Sequence, residues 1–252
     1  MLLPNFIIAV IFALIAGKIC NILILLFLNE DKEYGKISYP FCGASMKWYF
    51  FIPILHQLVT KNSCPICFKK FPYYFIINEL LTPILVLALY VKFGFSFIFV
   101  HYTLLTILGV VVFYADLYKR IIPDILIYPM IIIALLFSFA NLIGFQGALK
   151  GFILGAGFFV IIALIFKLFT RRQGLGGGDI KLIAVIGLSL GLRLTFLTIL
   201  LSSILGVIIY SFSRARKEVL IPYGSFIVIA MYVSMIFGNE LINWYLGLWG
   251  VV

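Results

Sequence analysis

Nine acidic residues occur in the 252-residue chain. Five of them, Glu30, Asp31, Glu33, Glu218 and Glu240, lie in hydrophilic segments. The other four, Glu79, Asp116, Asp124 and Asp179, fall at or just inside the ends of long apolar runs. A carboxylate there is costly to keep charged and is a functional candidate by default. Asp116 precedes the basic stretch Lys119-Arg120-Ile121-Ile122-Pro123-Asp124. At a helix C-terminus an acid opposes the dipole, so Asp116 either serves chemistry or pairs with Lys119 or Arg120. Pro123 breaks the chain, and Asp124 reads first as the N-cap of the next helix. Asp179 follows Gly174-Leu175-Gly176-Gly177-Gly178. Four glycines in five residues let the backbone take positive φ and approach another segment closely, and Asp179 then opens a helix whose dipole favours a negative charge. The loop follows an apolar span rather than a strand and lacks the Gly-Lys-Ser/Thr ending of a phosphate-binding loop.

Two carboxyls brought within hydrogen-bonding range cannot both ionise and share one proton. The ionised member then draws a proton from water while the protonated member polarises a carbonyl, which is the chemistry of peptide-bond hydrolysis. No Ser-His or Cys-His pair competes. The two histidines are His56 and His101, and the topology below puts His101 on the outer half.

The elements that must position these acids are membrane helices. The chain is 64% hydrophobic and 11% charged, whereas soluble domains are about half apolar and a quarter charged. The expected fold is all-α, a polytopic bundle of about eight transmembrane helices, at 5–28, 75–92, 96–115, 124–141, 151–169, 179–192, 194–211 and 222–238. The sixth is short for a crossing, and the aromatic tail 241–252 reads as an interfacial segment. The first span lacks a basic leader and a small-residue cleavage site and reads as retained, with Lys18 snorkelling from its cytoplasmic end. The division expected is a first helix, 1–28; a hydrophilic loop, 29–73; and a membrane domain, 74–252.

The net charge of +10 sits in short segments between spans, a mark of topology rather than of nucleic-acid binding. With the N-terminus outside, the inner segments hold Lys32, Lys36, Lys47, Lys61, Lys69, Lys70, Lys119, Arg120, Arg171, Arg172, Arg214, Arg216 and Lys217, and the outer ones only Lys92, Lys150 and Arg193. Asp116 and Asp179 then both face the cytoplasm, at one depth, from different helices.

An Asp before a basic Ile-Pro-Asp loop, combined with Gly176-Gly177-Gly178-Asp179-Ile180-Lys181-Leu182, resembles the type IV prepilin peptidases, intramembrane aspartyl proteases of the Gly-x-Gly-Asp type. Gly17-Lys18-Ile19-Cys20-Asn21 is similar to the family's Gly-Ser-Phe-Leu-Asn, Phe71–Thr82 to its Tyr-Pro-x-x-Glu-Leu-Leu-Thr, and Ile221-Pro222-Tyr223-Gly224 to its Ile-Pro-Phe-Gly. The resemblance implies Asp116 and Asp179 as catalytic residues, with Gly176, Gly178, Lys181, Pro123 and Asp124 supporting them. It implies cleavage of the leader of type IV prepilins or pseudopilins at the cytoplasmic face of the inner membrane. It also implies N-methylation of the new amine with S-adenosylmethionine, with Glu79 as a candidate for that step or a structural residue. Many members carry two Cys-x-x-Cys pairs in the first loop, a zinc staple. Here Cys64-Pro65-Ile66-Cys67 is intact, but Tyr39 stands where the partner of Cys42 is expected, so Cys42, Cys64 and Cys67 are left either to bind zinc with His56 or water, or to remain reduced thiols.

Three other readings compete. A proton-coupled transporter would place its acids nearer the bilayer midplane. An archaeal-type preflagellin peptidase would lack the long cysteine loop. A silent assembly scaffold would not cleave.

Overall fold

The computed structural model describes residues 2–28, 52, 59, 63–140, 143–170, 176–212 and 222–248. Among these there are seven helices: α1 (Leu2–Leu28), α2 (Tyr73–Phe93), α3 (Phe97–Lys119), α4 (Asp124–Phe139), α5 (Phe145–Thr170), α6 (Gly177–Phe212) and α7 (Tyr223–Leu248). Six are long and apolar enough to cross a membrane; α4, with 16 residues, is shorter. The outward apolar residues, such as Phe6, Ile84 and Phe169, are what a lipid-facing surface requires. The chain is a multi-pass membrane protein.

The helices expected at 179–192 and 194–211 form the single element α6, interrupted at Gly191, whose φ of 74° and ψ of 178° are non-helical. Only glycine takes that conformation without strain. A straight helix of 36 residues would run about 54 Å, far beyond a bilayer core. The neighbours of α5 show how the length is accommodated. A Cβ on Gly151 would meet the Gly187 carbonyl and Gly191, and one on Gly155 would meet the Ile183 carbonyl at 2.6 Å and Thr195 at 3.5 Å. Moving along α5 from 151 to 155 therefore moves backward along the segment before Gly191 and forward along the segment after it. The chain reverses at Gly191, and residues 177–190 and 192–212 are antiparallel limbs, α6a and α6b.

Other boundaries shift as well. The third helix continues to Lys119, so Asp116 lies in its last turn rather than ending the span, and the helix stops at Arg120 in the left-handed conformation (φ 55°). The last helix runs unbroken through Leu248, so the residues up to there belong to a helix, not to a separate interfacial segment; 249–252 lie outside the described residues.

Two compact units are present, residues 1–95 with 106–111, and residues 96–105 with 112–252. In the first, α1 packs on α2 where Gly17 meets Pro83; a Cβ at Gly17 would be 2.9 Å from the Pro83 ring. In the second, α5 lies on α6 through the facing glycines Gly151 and Gly187, and α7 lies along α6b, joined by a hydrogen bond between the Tyr223 and Ser202 hydroxyls (3.1 Å). His101 is buried and stacks on Phe137 at 4.6 Å.

Candidate active site

The second unit carries both aspartates. Asp116 is 5% exposed and pairs with neither Lys119 nor Arg120 among the described contacts. Its carboxyl lies instead at the start of α7, where Oδ2 accepts the Ser225 backbone N–H at 2.7 Å and the Ser225 hydroxyl at 3.2 Å. A helix N-terminus supplies unsatisfied N–H groups and positive potential to an anion. Gly224 is needed for this approach, since a Cβ there would lie 3.1 Å from Asp116 Cγ and 2.8 Å from Ile122 Cδ1.

Asp179 lies in the first turn of α6a. Its N–H donates to the Gly176 carbonyl (3.1 Å), closing the first turn, and a Cβ on Gly176 would lie 3.0 Å from its Oδ2. The glycines serve close approach here. None of Gly176, Gly177 and Gly178 has positive φ, but a Cβ on Gly178 would lie 3.0 Å from Ile122 Cβ. Gly174 lies outside the described residues. Ile122 thus packs against the first turns of both α6a and α7, and through them it brings the two aspartates to one end of the unit.

Asp124 is not the cap. Pro123 occupies the cap position, without a side-chain hydrogen bond, and Asp124 is the first helical residue. Its carboxylate is instead held by Lys181 Nζ, at 2.8 Å and 2.9 Å. The reason is geometric: proline leads into the helix with a fixed φ, and Asp124 then faces the residue two positions beyond Asp179. The pair is half exposed, so it adds little to global stability while tying the start of α6a to the start of α4. Exchanging the charges tests this tie. Lys181→Asp and Asp124→Lys should each lower cleavage by roughly tenfold with little change in thermal stability, and the double exchange should recover most of it, as read by initial rates on a purified substrate.

The first unit contains the remaining candidates. Lys18 does not snorkel. It is 3% exposed and pairs with Glu79 at 3.6 Å, because Glu79, itself 2% exposed, offers it a buried counter-charge. Asn21 Nδ2 donates to Glu79 Oε2 (3.5 Å) and to the Phe75 carbonyl (3.0 Å), Asn78 Nδ2 donates to Asn21 Oδ1 (2.7 Å), and the Thr82 hydroxyl donates to Asn78 Oδ1 (2.9 Å). Polar residues on adjoining membrane helices satisfy one another in this way because lipid cannot.

Cys64 and Cys67 frame a tight turn in which the Cys64 N–H donates to the Lys69 carbonyl (2.8 Å) and the Phe68 N–H to the Cys64 carbonyl (2.9 Å). Cys64 is buried with Leu25, Phe71 and Phe75. Among the described residues no group of three or more His, Cys, Asp or Glu is placed to hold a metal; Tyr39, Cys42 and His56 lie outside them. Two thiols alone do not make a zinc site, so the zinc expectation gains no support.

Sequence reasoning missed Ser225. The Pro222-Tyr223-Gly224 stretch was legible as a motif, but nothing local signals that the following serine reaches a carboxyl 109 positions away.

Comparison with known proteins gives a consistent result. Residues 103–211 match the model described as the type IV leader peptidase family, and residues 11–93 match the bacterial peptidase A24 N-terminal domain. A prepilin leader peptidase/N-methyltransferase of Aeromonas salmonicida is 33% identical over 86% of this chain and 78% of its own length. Proteins of the same description from Xanthomonas campestris pv. campestris (31%, covering 82% and 74%) and Legionella pneumophila (27%, covering 95% and 93%) are also similar. No solved structure matches.

Proposed function

Because the chain belongs to the type IV leader peptidase family, we propose that it cleaves the leader from type IV prepilins or pseudopilins and N-methylates the new terminus, with Asp116 and Asp179 as the catalytic pair. The observation that carries the site assignment is two carboxyls, from α3 and α6a, brought to one end of the same unit where Ile122 packs against the first turns of α6a and α7. In such a pair the ionised carboxylate removes a proton from water as the oxygen attacks the scissile carbonyl. The protonated partner donates to the carbonyl oxygen; on collapse of the tetrahedral intermediate the amine leaves with the proton that the first carboxyl had drawn from water, and a hydroxyl proton of the intermediate returns to the partner. One water and one peptide bond are consumed, and both carboxyls return to their starting protonation states.

The charge asymmetry between loops supports an orientation with this end at the cytoplasmic face of the inner membrane. A prepilin with a basic leader before an apolar helix suits that placement: the helix lies in lipid while the cut falls at the interface. The acids cluster at one end of their unit, not along the helix middles, which favours the peptidase over a transporter.

Methyl transfer implies S-adenosylmethionine, which supplies an electrophilic methyl to the new amine. Glu79 does not fit that donor as placed. Its oxygens are engaged by Lys18 and Asn21 and it is shut from solvent, so accepting a sulfonium would require parting from Lys18. No step is assigned to it.

The test is incubation of the purified full chain with a prepilin and S-adenosylmethionine, followed by mass spectrometry of the substrate's N-terminus. Loss of the leader together with one added methyl is the expected result. An intact leader would overturn the proposal; a cut but unmethylated product would remove its second half.

A further inference from the structure

Asp116 and Asp179 share a site but have different surroundings, and the difference assigns their roles. Both carboxyls lose solvation near the apolar part of the protein, and desolvation opposes charge on each. What distinguishes them is donors. Asp116 faces the Ser225 N–H and the Ser225 hydroxyl at the open end of α7. Asp179 Oδ2 lies instead beside the Gly176 backbone, 3.0 Å from where a Cβ on Gly176 would be. Donors stabilise a carboxylate more than a carboxylic acid, and bonds to a charged acceptor are the stronger kind. The Ser225 N–H, at 2.7 Å, and the Ser225 hydroxyl, at 3.2 Å, are both directed at Oδ2, which favours charge on that oxygen over a proton. The Ser225 hydroxyl has one proton and two acceptors in reach, Asp116 Oδ2 at 3.2 Å and the Phe113 carbonyl at 3.1 Å, so it can turn toward the carboxylate when charge is present.

We propose that Ser225 is the positioning residue that makes Asp116 the ionised member of the pair, the one that takes the proton from water, and leaves Asp179 to hold the shared proton. This rests on the aspartyl-protease reading above. Ser225 is 1% exposed and acts only through Asp116. It sits in the first turn of α7, anchored one helical face away by the Tyr223 hydroxyl on Ser202, so the donor geometry is set by the helix and not by a loose side chain.

Substitutions separate its two donors. Ser225→Ala removes the hydroxyl and keeps the N–H. Ser225→Pro removes both, at a first-turn position where proline is tolerated. Ser225→Thr keeps both. Measured on folded, monodisperse full-length protein, Ser225→Ala should lower kcat about tenfold and Ser225→Pro about a hundredfold, with KM unchanged, and Ser225→Thr should restore kcat to near the parent value. A purely packing role would lower yield and melting temperature without this ordered loss in kcat. Parent-like kcat in Ser225→Ala, while Asp116→Asn and Asp179→Asn are inactive, would overturn the assignment and leave the aspartyl reading intact. Cleavage surviving the aspartate substitutions would sink both. Should Ser225→Pro fail to fold, the alanine and threonine pair still decides.

Discussion

Asp116→Asn and Asp179→Asn should each reduce prepilin cleavage by at least about a thousandfold, the upper range of what one positioned acid or base contributes. The two changes act on different halves of the reaction. Asparagine at 116 cannot accept the proton of the attacking water, and asparagine at 179 cannot pass a proton to the scissile carbonyl. Neither should unfold the protein. The asparagine oxygen can still accept the Ser225 N–H that Asp116 accepts, and at 179 the backbone bond from residue 179 to the Gly176 carbonyl is unchanged. Melting curves of both variants should therefore overlay on that of the parent while product formation disappears. Combining the two should cost little more than either alone, because the carboxyls work as one unit. Cleavage at a normal rate in either single variant would contradict the assignment.

The second large effect is structural. Gly187→Ala and Gly151→Ala should each destabilise the protein by about 3 kcal/mol, the upper end of ordinary overpacking. In each case the new Cβ would strike the other residue's backbone carbonyl. A side chain could rotate away, but a backbone carbonyl can yield only if α5 and α6a separate. Since α6a carries Asp179 in its first turn, the same separation should lower cleavage as well. Gly157→Ala on α5 provides the control: nothing lies within 4 Å of a Cβ there, so thermal unfolding in detergent and activity should both match the parent. Equal stability of the Gly187 and Gly157 variants would mean that the glycine contact does not hold these helices together.

The methylation half of the proposal stands on a different footing from the peptidase half. Cleavage has a constructed site, two acids brought to one end of the same unit. Methyl transfer is carried by family membership, and the buried Lys18–Glu79 pair (3.6 Å) is more readily understood as polar glue between α1 and α2. Removing one partner of such a pair leaves an uncompensated buried charge, so loss of methylation in a Glu79 variant is informative only beside a stability measurement.

What the sequence determined by itself follows from local physical rules. Long apolar runs specify membrane helices because every backbone group must be satisfied within its own segment. The distribution of lysine and arginine marks the expected inner ends. An acid that a local cap or salt bridge does not account for, and another beneath a glycine run, point to chemistry before any fold is known. What only the tertiary structure decided are the relations between segments distant in the chain. Lys18 reads as a snorkelling cation until Glu79 appears across from it, and Asp124 reads as a cap until Lys181 takes its carboxylate. The glycines before Asp179 read as sites of positive φ, whereas the described ones serve instead to admit Ile122 and to close the first turn of the helix. The break between the spans expected at 179–192 and 194–211 was legible in the sequence, and the structure places it at Gly191. Ser225 was hidden for a physical reason: a hydrogen bond between a serine and a carboxyl 109 residues apart depends on where two helices end in space, and no periodicity along either one records that position.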